Sequence, residues 1–198
     1  MPTTYLIGIS GPPRAGKDTL AKAIADRLTT MFGLGPQILS LSMPMRFTIY
    51  AMLGRDYSLE HYEAHKDDPQ PALGGKSIRQ AMIALSEEHV KPTYGKGFWA
   101  QSLTGFERRP RPWVVIVPDM GFDEEVQVLA RHYGPSNCLW PQLARPGHDF
   151  SRDSRGYVGL TNRVLQITNP GTNGDAFFEM AAQRVVDVAL EVCFWDFS

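Results

Sequence analysis

The sequence predicts a three-layer α/β domain, a parallel sheet of about five strands with helices on both faces. Three observations carry that expectation. The apolar run Tyr5–Ile9 leads into a glycine loop, Gly11-Pro12-Pro13-Arg14-Ala15-Gly16-Lys17-Asp18-Thr19, which opens a helix-patterned stretch. A second apolar run, Trp113–Val117, ends at Pro118-Asp119, and unbroken apolarity of this kind suits a parallel strand covered on both faces. Elsewhere short strand patterns alternate with helical ones, as right-handed β-α-β crossovers require.

Taken in order, Leu20, Ile24, Leu28 and Met31 recur at helical spacing after the loop. Gln37–Leu41 is a second strand candidate, and Met43 to Leu53 a helix stopped by Gly54. Residues 55–76 are polar and form a long loop. Ser77 and Gln80 make an S-x-x-Q capping box for a helix running to about Val90, and another helix covers Gly97 to Phe106. After the Trp113 strand come a helix from Phe122 to Tyr133 and a weaker strand, Asn137 to Trp140. Residues 144–162, rich in Arg, Asp, Gly and Ser, fit a mobile lid or a disordered loop. Val164–Ile167 is the last strand, followed by a helix from about Asp175 that buries Phe177, Ala181, Val185, Val188 and Val192.

The glycine loop has the Gly-x-x-x-x-Gly-Lys spacing in a strand–loop–helix setting. Backbone N–H groups of such a loop, with the positive end of the following helix, form a cradle for phosphate, and Lys17 supplies a point charge for the terminal phosphates. Gly11 and Gly16 allow close approach of backbone to phosphate. The hydroxyl comes one place late, at Thr19, with Asp18 after the lysine. Asp18 either reaches a Mg²⁺ ion through water or orients Lys17; its plainer role is a first-turn acid on the helix dipole. Asp119 at a strand end suits a Mg²⁺-holding carboxylate, with helix capping as the alternative.

Phosphoryl transfer needs positive charge on both sides of the transferring group. Arg79, in the first turn of the capped helix, and Arg145, Arg152 and Arg155, in the 144–162 loop, are the candidates, each with solvated arginine as the alternative. Trp99, Phe98 or Tyr62 could stack on a base or belong to the core. Glu87 and Glu88 could bond a sugar or base or simply be solvated. Arg108-Arg109-Pro110-Arg111 fits a solvated turn.

Composition bounds the rest. At 198 residues the chain suits one domain with a sizeable core, and a formal net charge of −1 demands neither nucleic acid nor membrane as partner. Cys138 and Cys193 fit buried small hydrophobes, and the five histidines show no metal-ligand spacing. No apolar run approaches the ~20 residues of a membrane helix, so a soluble intracellular protein is expected.

Gly16-Lys17-Asp18-Thr19, Lys66…Pro69, Gly74-Gly75-Lys76-Ser77-Ile78-Arg79-Gln80 and Phe98-Trp99 together resemble the bacteriophage deoxynucleoside monophosphate kinase family. Val115–Phe122 with Glu124-Glu125, Arg145-Pro146 and Ile167–Thr172 continue the likeness over most of the chain. The resemblance implies a P-loop nucleoside monophosphate kinase-like fold filling residues 1–198. Within it lie an acceptor-binding segment at about 55–108 and the lid-like loop at about 144–162. It implies ATP and Mg²⁺ as cofactors, a small nucleotide substrate and the cytoplasm of a host cell; a homodimer stays open. Gly11, Arg14, Ala15, Gly16, Lys17, Asp18, Thr19 and Arg145 would then hold the donor. Lys76, Arg79, Gln80, Glu88 and Trp99 would hold the acceptor. Asp18, Thr19 and Asp119 would serve the metal, and Lys17, Arg79, Asp119 and Arg152 the transfer.

Two departures stand out. Gly121 occupies a place where the family commonly has arginine, and Ser151–Gly156 replaces a His-x-Ser-Glu-like element. They keep two other functions open: a kinase acting on a hydroxymethylated pyrimidine in DNA, and a nucleotide-binding regulator without transfer.

Overall fold

The computed structural model describes residues 3–33, 35–54, 60, 64–107, 113–151, 153–172 and 174–192. Tyr62, the run 108–111, Arg152 and Cys193, named above, lie outside these residues.

The strands are β1 (Tyr5–Ser10), β2 (Gln37–Ile38), β3 (Val114–Met120), β4 (Cys138–Ala144) and β5 (Val164–Thr168). They form one parallel sheet in the order β2-β3-β1-β4-β5, with Tyr5 opposite Val114 and Leu6 opposite Cys138. The central strand therefore delivers the glycine loop to the middle of the carboxyl edge, where such sheets bind ligands. The predicted sheet is the one observed.

Alternate residues of β1 face opposite layers. Tyr5, Ile7 and Ile9 pack on α1 (Lys17–Phe32) and on the terminal helix Gly174–Val192, through Leu20, Ile24, Leu28, Val185 and Ala189. Leu6, with Val115, Val117 and Trp140, packs on the helices Phe98–Leu103 and Asp123–Tyr133. Gly8 lacks a side chain because the Trp140 ring fills its place, with a built Cβ only 2.6 Å from Cζ3. Cys138 is buried in this second layer, as expected of a small hydrophobe. No helix among the described residues is long and apolar enough to cross a membrane.

Two elements differ from expectation. The second strand leaves the ladder after Ile38, because Ser40, Leu41 and Ser42 turn to bond Asp119. The helix opened by Ser77 is α-helical only over Ile78–Ala84; Leu85–Val90 is a π turn and Lys91–Tyr94 resumes the α form. Pro92 supplies the reason. A proline inside a helix has no N–H and crowds the carbonyl four residues back, here Glu88, and a widened turn relieves both.

Candidate active site

The glycine loop is built for close approach. A Cβ on Gly11 would sit 2.3 Å from the Leu143 carbonyl oxygen, so only glycine lets the loop lie against the end of β4. Gly16 caps α1 with φ 99°, in the left-handed region glycine favours, and a Cβ there would strike Phe178 at 2.5 Å. Arg14 shares the positive φ, at 61°.

The loop is also held from outside. Asn169, buried past the end of β5, donates to the Ala15 carbonyl at 2.8 Å while its own oxygen accepts from Gly171 N at 2.9 Å. Arg145 Nη1, past the end of β4, donates to the Arg14 carbonyl at 2.8 Å. Lys17 Nζ folds back to the carbonyls of Gly11 and Pro12 at 2.8 and 2.9 Å. Burial foremost, then the charge of Arg155, holds the Lys17 pKa below its usual value.

Two cavities flank this lysine. The smaller, about 400 Å³, is lined by Arg14, Gly16, Thr19, Arg145, Asn169 and Phe178 among others. The larger, about 600 Å³, lies toward β2 and β3. Its rim carries Arg46, Lys66 and Arg79, its apolar wall Met45, Met82 and Trp99, and its inner end Asp119, Glu125 and Arg155. Lys17 and Asp18 line both. The stretches of sequence expected to serve donor and acceptor thus border cavities that meet at these two residues.

Within the larger cavity the predicted residues divide. Arg79 is on the rim, its Nε 2.6 Å from Asp67 Oδ1. Trp99 contributes an edge, its Nε1 donating to Ser86 Oγ at 3.0 Å. Asp119 is present, and both its oxygens are engaged: Leu41 N donates to Oδ1 at 2.8 Å, Ser40 Oγ and Ser42 N to Oδ2 at 2.6 and 3.1 Å. Three other candidates are elsewhere. Gln80 closes the capping box, its Oε1 accepting from Ser77 N at 2.9 Å, and does not line the cavity. Lys76 is exposed outside it. Glu88 is turned away, and Glu87, one place earlier, faces in and accepts from Lys91 Nζ at 2.6 Å.

Arg46, which no sequence signal pointed to, also lines the cavity, with Lys66 and Glu125 of the resembling stretches and Arg155 of the arginine-rich loop. Glu125 had a signal, an acid three places into a helix after a glycine turn. Its Oε2 accepts from Gly121 N at 2.8 Å and Phe122 N at 3.0 Å. Burial outweighs these bonds and, with the charge of Asp119, pushes its pKa up to about 7. The second half of the 144–162 loop is packed: Val158 is buried, its N donates to Ser10 Oγ at 3.2 Å, and Gly156 N donates to Gly121 O at 3.0 Å.

No protein-family model matches the chain, and no curated protein matches it in sequence. Solved structures do. The APS kinase CysC of Mycobacterium tuberculosis, in complex with AMPPNP and APS, superposes with a TM-score of 0.52 at 16% identity, over 96% of this chain and 99% of that one. A cysteine-to-alanine mutant of the same enzyme gives 0.51 at 16% identity, over 96% and 99%. The chain has the P-loop kinase fold. Shikimate kinase from Acinetobacter baumannii, in complex with shikimate, reaches 0.48 at 14% identity, over 96% and 94%.

Proposed function

We propose that the chain transfers the γ-phosphoryl group of ATP, with Mg²⁺, to a deoxynucleoside monophosphate and releases the diphosphate. The observation that carries the proposal is the sharing of Lys17 and Asp18 by two cavities, one behind a phosphate cradle and one rimmed by cations. The solved APS kinase complex, with AMPPNP and APS bound in the same fold, supports two-site occupancy of this kind.

On this reading the loop amides and Thr19 bind the donor phosphates, and Arg14, Arg145 and Asn169 shape the donor cavity. Lys17 would leave the carbonyls of Gly11 and Pro12 for the β- and γ-phosphates. Among the described residues no three His, Cys, Asp or Glu side chains group as a metal site. Mg²⁺ keeps several waters and leans on substrate phosphates, so it needs few protein ligands. Asp18, Thr19 and Asp119 are the side chains that would hold the ion, which neutralises phosphate charge. Arg46, Lys66 and Arg79 would grip the acceptor phosphate. Its oxygen is largely anionic near pH 7 and attacks without a general base.

One observation favours a second reading. Glu125 is a buried carboxylate with a pKa of about 7 in the acceptor cavity, as a general base for an alcohol acceptor would be. A hydroxymethylated pyrimidine in DNA is such an acceptor. An ADP-release assay with ATP and Mg²⁺, run against each deoxynucleoside monophosphate and against plain and hydroxymethylated DNA, tests both. Turnover on a monophosphate is expected. Turnover only on modified DNA would transfer the proposal to the alcohol, and ATP binding without product anywhere would leave a nucleotide-binding regulator.

A further inference from the structure

We infer that Arg155 is the arginine that stabilises the phosphoryl group in flight, and that Gly121 is the residue that gives it room to do so. The inference rests on the phosphotransferase reading and concerns its transfer step.

The steric argument comes first. A Cβ built on Gly121 would lie 2.4, 2.5 and 2.6 Å from Cγ, Cδ and Cβ of Arg155. The stem of Arg155 therefore occupies the space into which any side chain at 121 would project. These are the near atoms of the stem, not its flexible end, so a methyl at 121 must displace the whole side chain. The segment carrying Arg155 is fixed to the sheet. Gly156 N donates to Gly121 O, and Val158 is buried and bonded to Ser10, the last residue of β1. An arginine from a stretch far away in sequence is thus clamped between the ends of β1 and β3.

Its head is placed for chemistry. Arg155 lines the larger cavity beside Lys17 and Asp119, and its charge is the second cause of the lowered Lys17 pKa. Asp153 accepts from Nε, at 2.9 Å to Oδ1 and 3.0 Å to Oδ2, and also from Nη2. Nη1 makes no hydrogen bond among the described residues. Asp153 is a positioning residue: it fixes the plane of the guanidinium and leaves one edge for an incoming oxygen. A guanidinium stays charged at any working pH, whereas burial weakens the hold of Lys17 on its proton. In the transfer the bond from the acceptor oxygen to the γ-phosphorus forms while the bond from that phosphorus to the bridging oxygen of ADP breaks, ADP keeping the electron pair. Arg155 would donate to the equatorial oxygens, whose charge no longer matches the ground state, and so favour the transition state.

The test is a double-mutant cycle of Gly121→Ala and Arg155→Ala. Three quantities are read: kcat with the preferred deoxynucleoside monophosphate, affinity for ATP, and affinity for ADP with aluminium fluoride, a mimic of the transferring group. Arg155→Ala should lower kcat by about 10²–10³-fold and weaken the fluoride complex, with ATP affinity nearly unchanged. Added guanidinium ion should restore part of the rate. Gly121→Ala should lower kcat by roughly tenfold alone and have no effect once Arg155 is gone, since distant or independent sites would instead be additive. Full additivity, a fluoride complex unaffected by Arg155→Ala, or a loss that tracks the unfolding temperature would each overturn the inference. If wild-type protein phosphorylates no monophosphate, the acceptor reading fails. The fluoride affinities then still decide the role of Arg155, because they need no acceptor.

Discussion

The glycine-loop cradle and the larger cavity, donor and acceptor sites on the proposed reading, share Lys17, yet they are made of different material. The cradle is backbone: amides of Gly11–Thr19 held by Asn169 and Arg145 from two neighbouring strand ends. The acceptor cavity is side chains: Arg46 and Arg79 from two helices, Lys66 from a loop, Glu87 from a π turn, Glu125 from a third helix and Arg155 from a packed segment. Backbone geometry is set by local sequence and tolerates no alternative at Gly11. A wall of side chains can be repopulated residue by residue. On the proposed reading, a site of this design keeps its donor while its acceptor is free to change.

The largest effect should separate the two halves. Lys17→Ala is expected to lower turnover by about 10²–10³-fold with every acceptor, because it removes charge from the donor phosphates themselves. Arg79→Ala should instead raise the KM of the acceptor by roughly tenfold and leave ATP affinity alone, as the loss of one charged hydrogen-bonding group implies. Circular dichroism should show both variants folded. Steady-state kinetics with both substrates varied checks the pair, and a Lys17→Ala variant with near-normal turnover would remove the donor assignment.

The same contrast explains what the sequence made legible. The parallel sheet, the strand–loop–helix at Gly11–Thr19 and the cap at Ser77 all follow from residues adjacent in the chain, and each was found where expected. Asp119 was placed correctly at its strand end, but that it also organises Ser40 to Ser42 depends on a partner nearly eighty positions away. Glu87 and Glu88 read alike in the sequence, and only the structure separates them: Leu85–Val90 is a π turn, and Glu87, not Glu88, lines the cavity. The chosen transfer arginine of the 144–162 loop was Arg152, outside the described residues. Arg155 became the stronger candidate only when the room left by Gly121 was visible in three dimensions. Composition carries no trace of such pairings.

A second difference between the halves is their response to pH. Backbone amides do not titrate, whereas the acceptor wall contains Glu125. Burial foremost, helped by the charge of Asp119, raises its pKa to about 7 against the pull of the Gly121 and Phe122 amides and the charge of Lys91, with Arg155 also facing it. The folded protein therefore holds this proton more tightly than the unfolded chain between the ordinary value of 4.5 and about 7. Stability from this group is complete below that window, falls as pH rises through it, and levels above about 7. Glu125→Gln keeps the acceptor for the two amides and removes the proton, so it should erase about 2 kcal/mol of the difference in unfolding free energy between pH 5 and pH 8. Urea unfolding at the two pH values measures this. Asn169→Ala, on the donor side, should shift both curves equally. Equal slopes for wild type and Glu125→Gln would mean that the carboxyl is solvated and that the acceptor wall is looser than its contacts imply.

The smallest effect is a test within the acceptor half. Glu87 accepts from Lys91, whose side chain is only 11% exposed, and Lys91 also lies 4.0 Å from the centroid of the Phe122 ring. Removing the carboxylate by Glu87→Ala leaves a largely buried ammonium without its ion-pair partner and strips the cavity of an acceptor for a substrate N–H or hydroxyl. An increase of about five- to tenfold in acceptor KM is expected, in line with about 1 kcal/mol for a partly exposed charged hydrogen bond. Glu88→Ala should stay within twofold of wild type. The two glutamates are adjacent, equally acidic and equally close to the helix ends, so composition and charge predict the same result for both. Their different directions from the helix make them differ, Glu87 into the cavity and Glu88 outside it, and a reversed ranking would place Glu88, not Glu87, in the cavity.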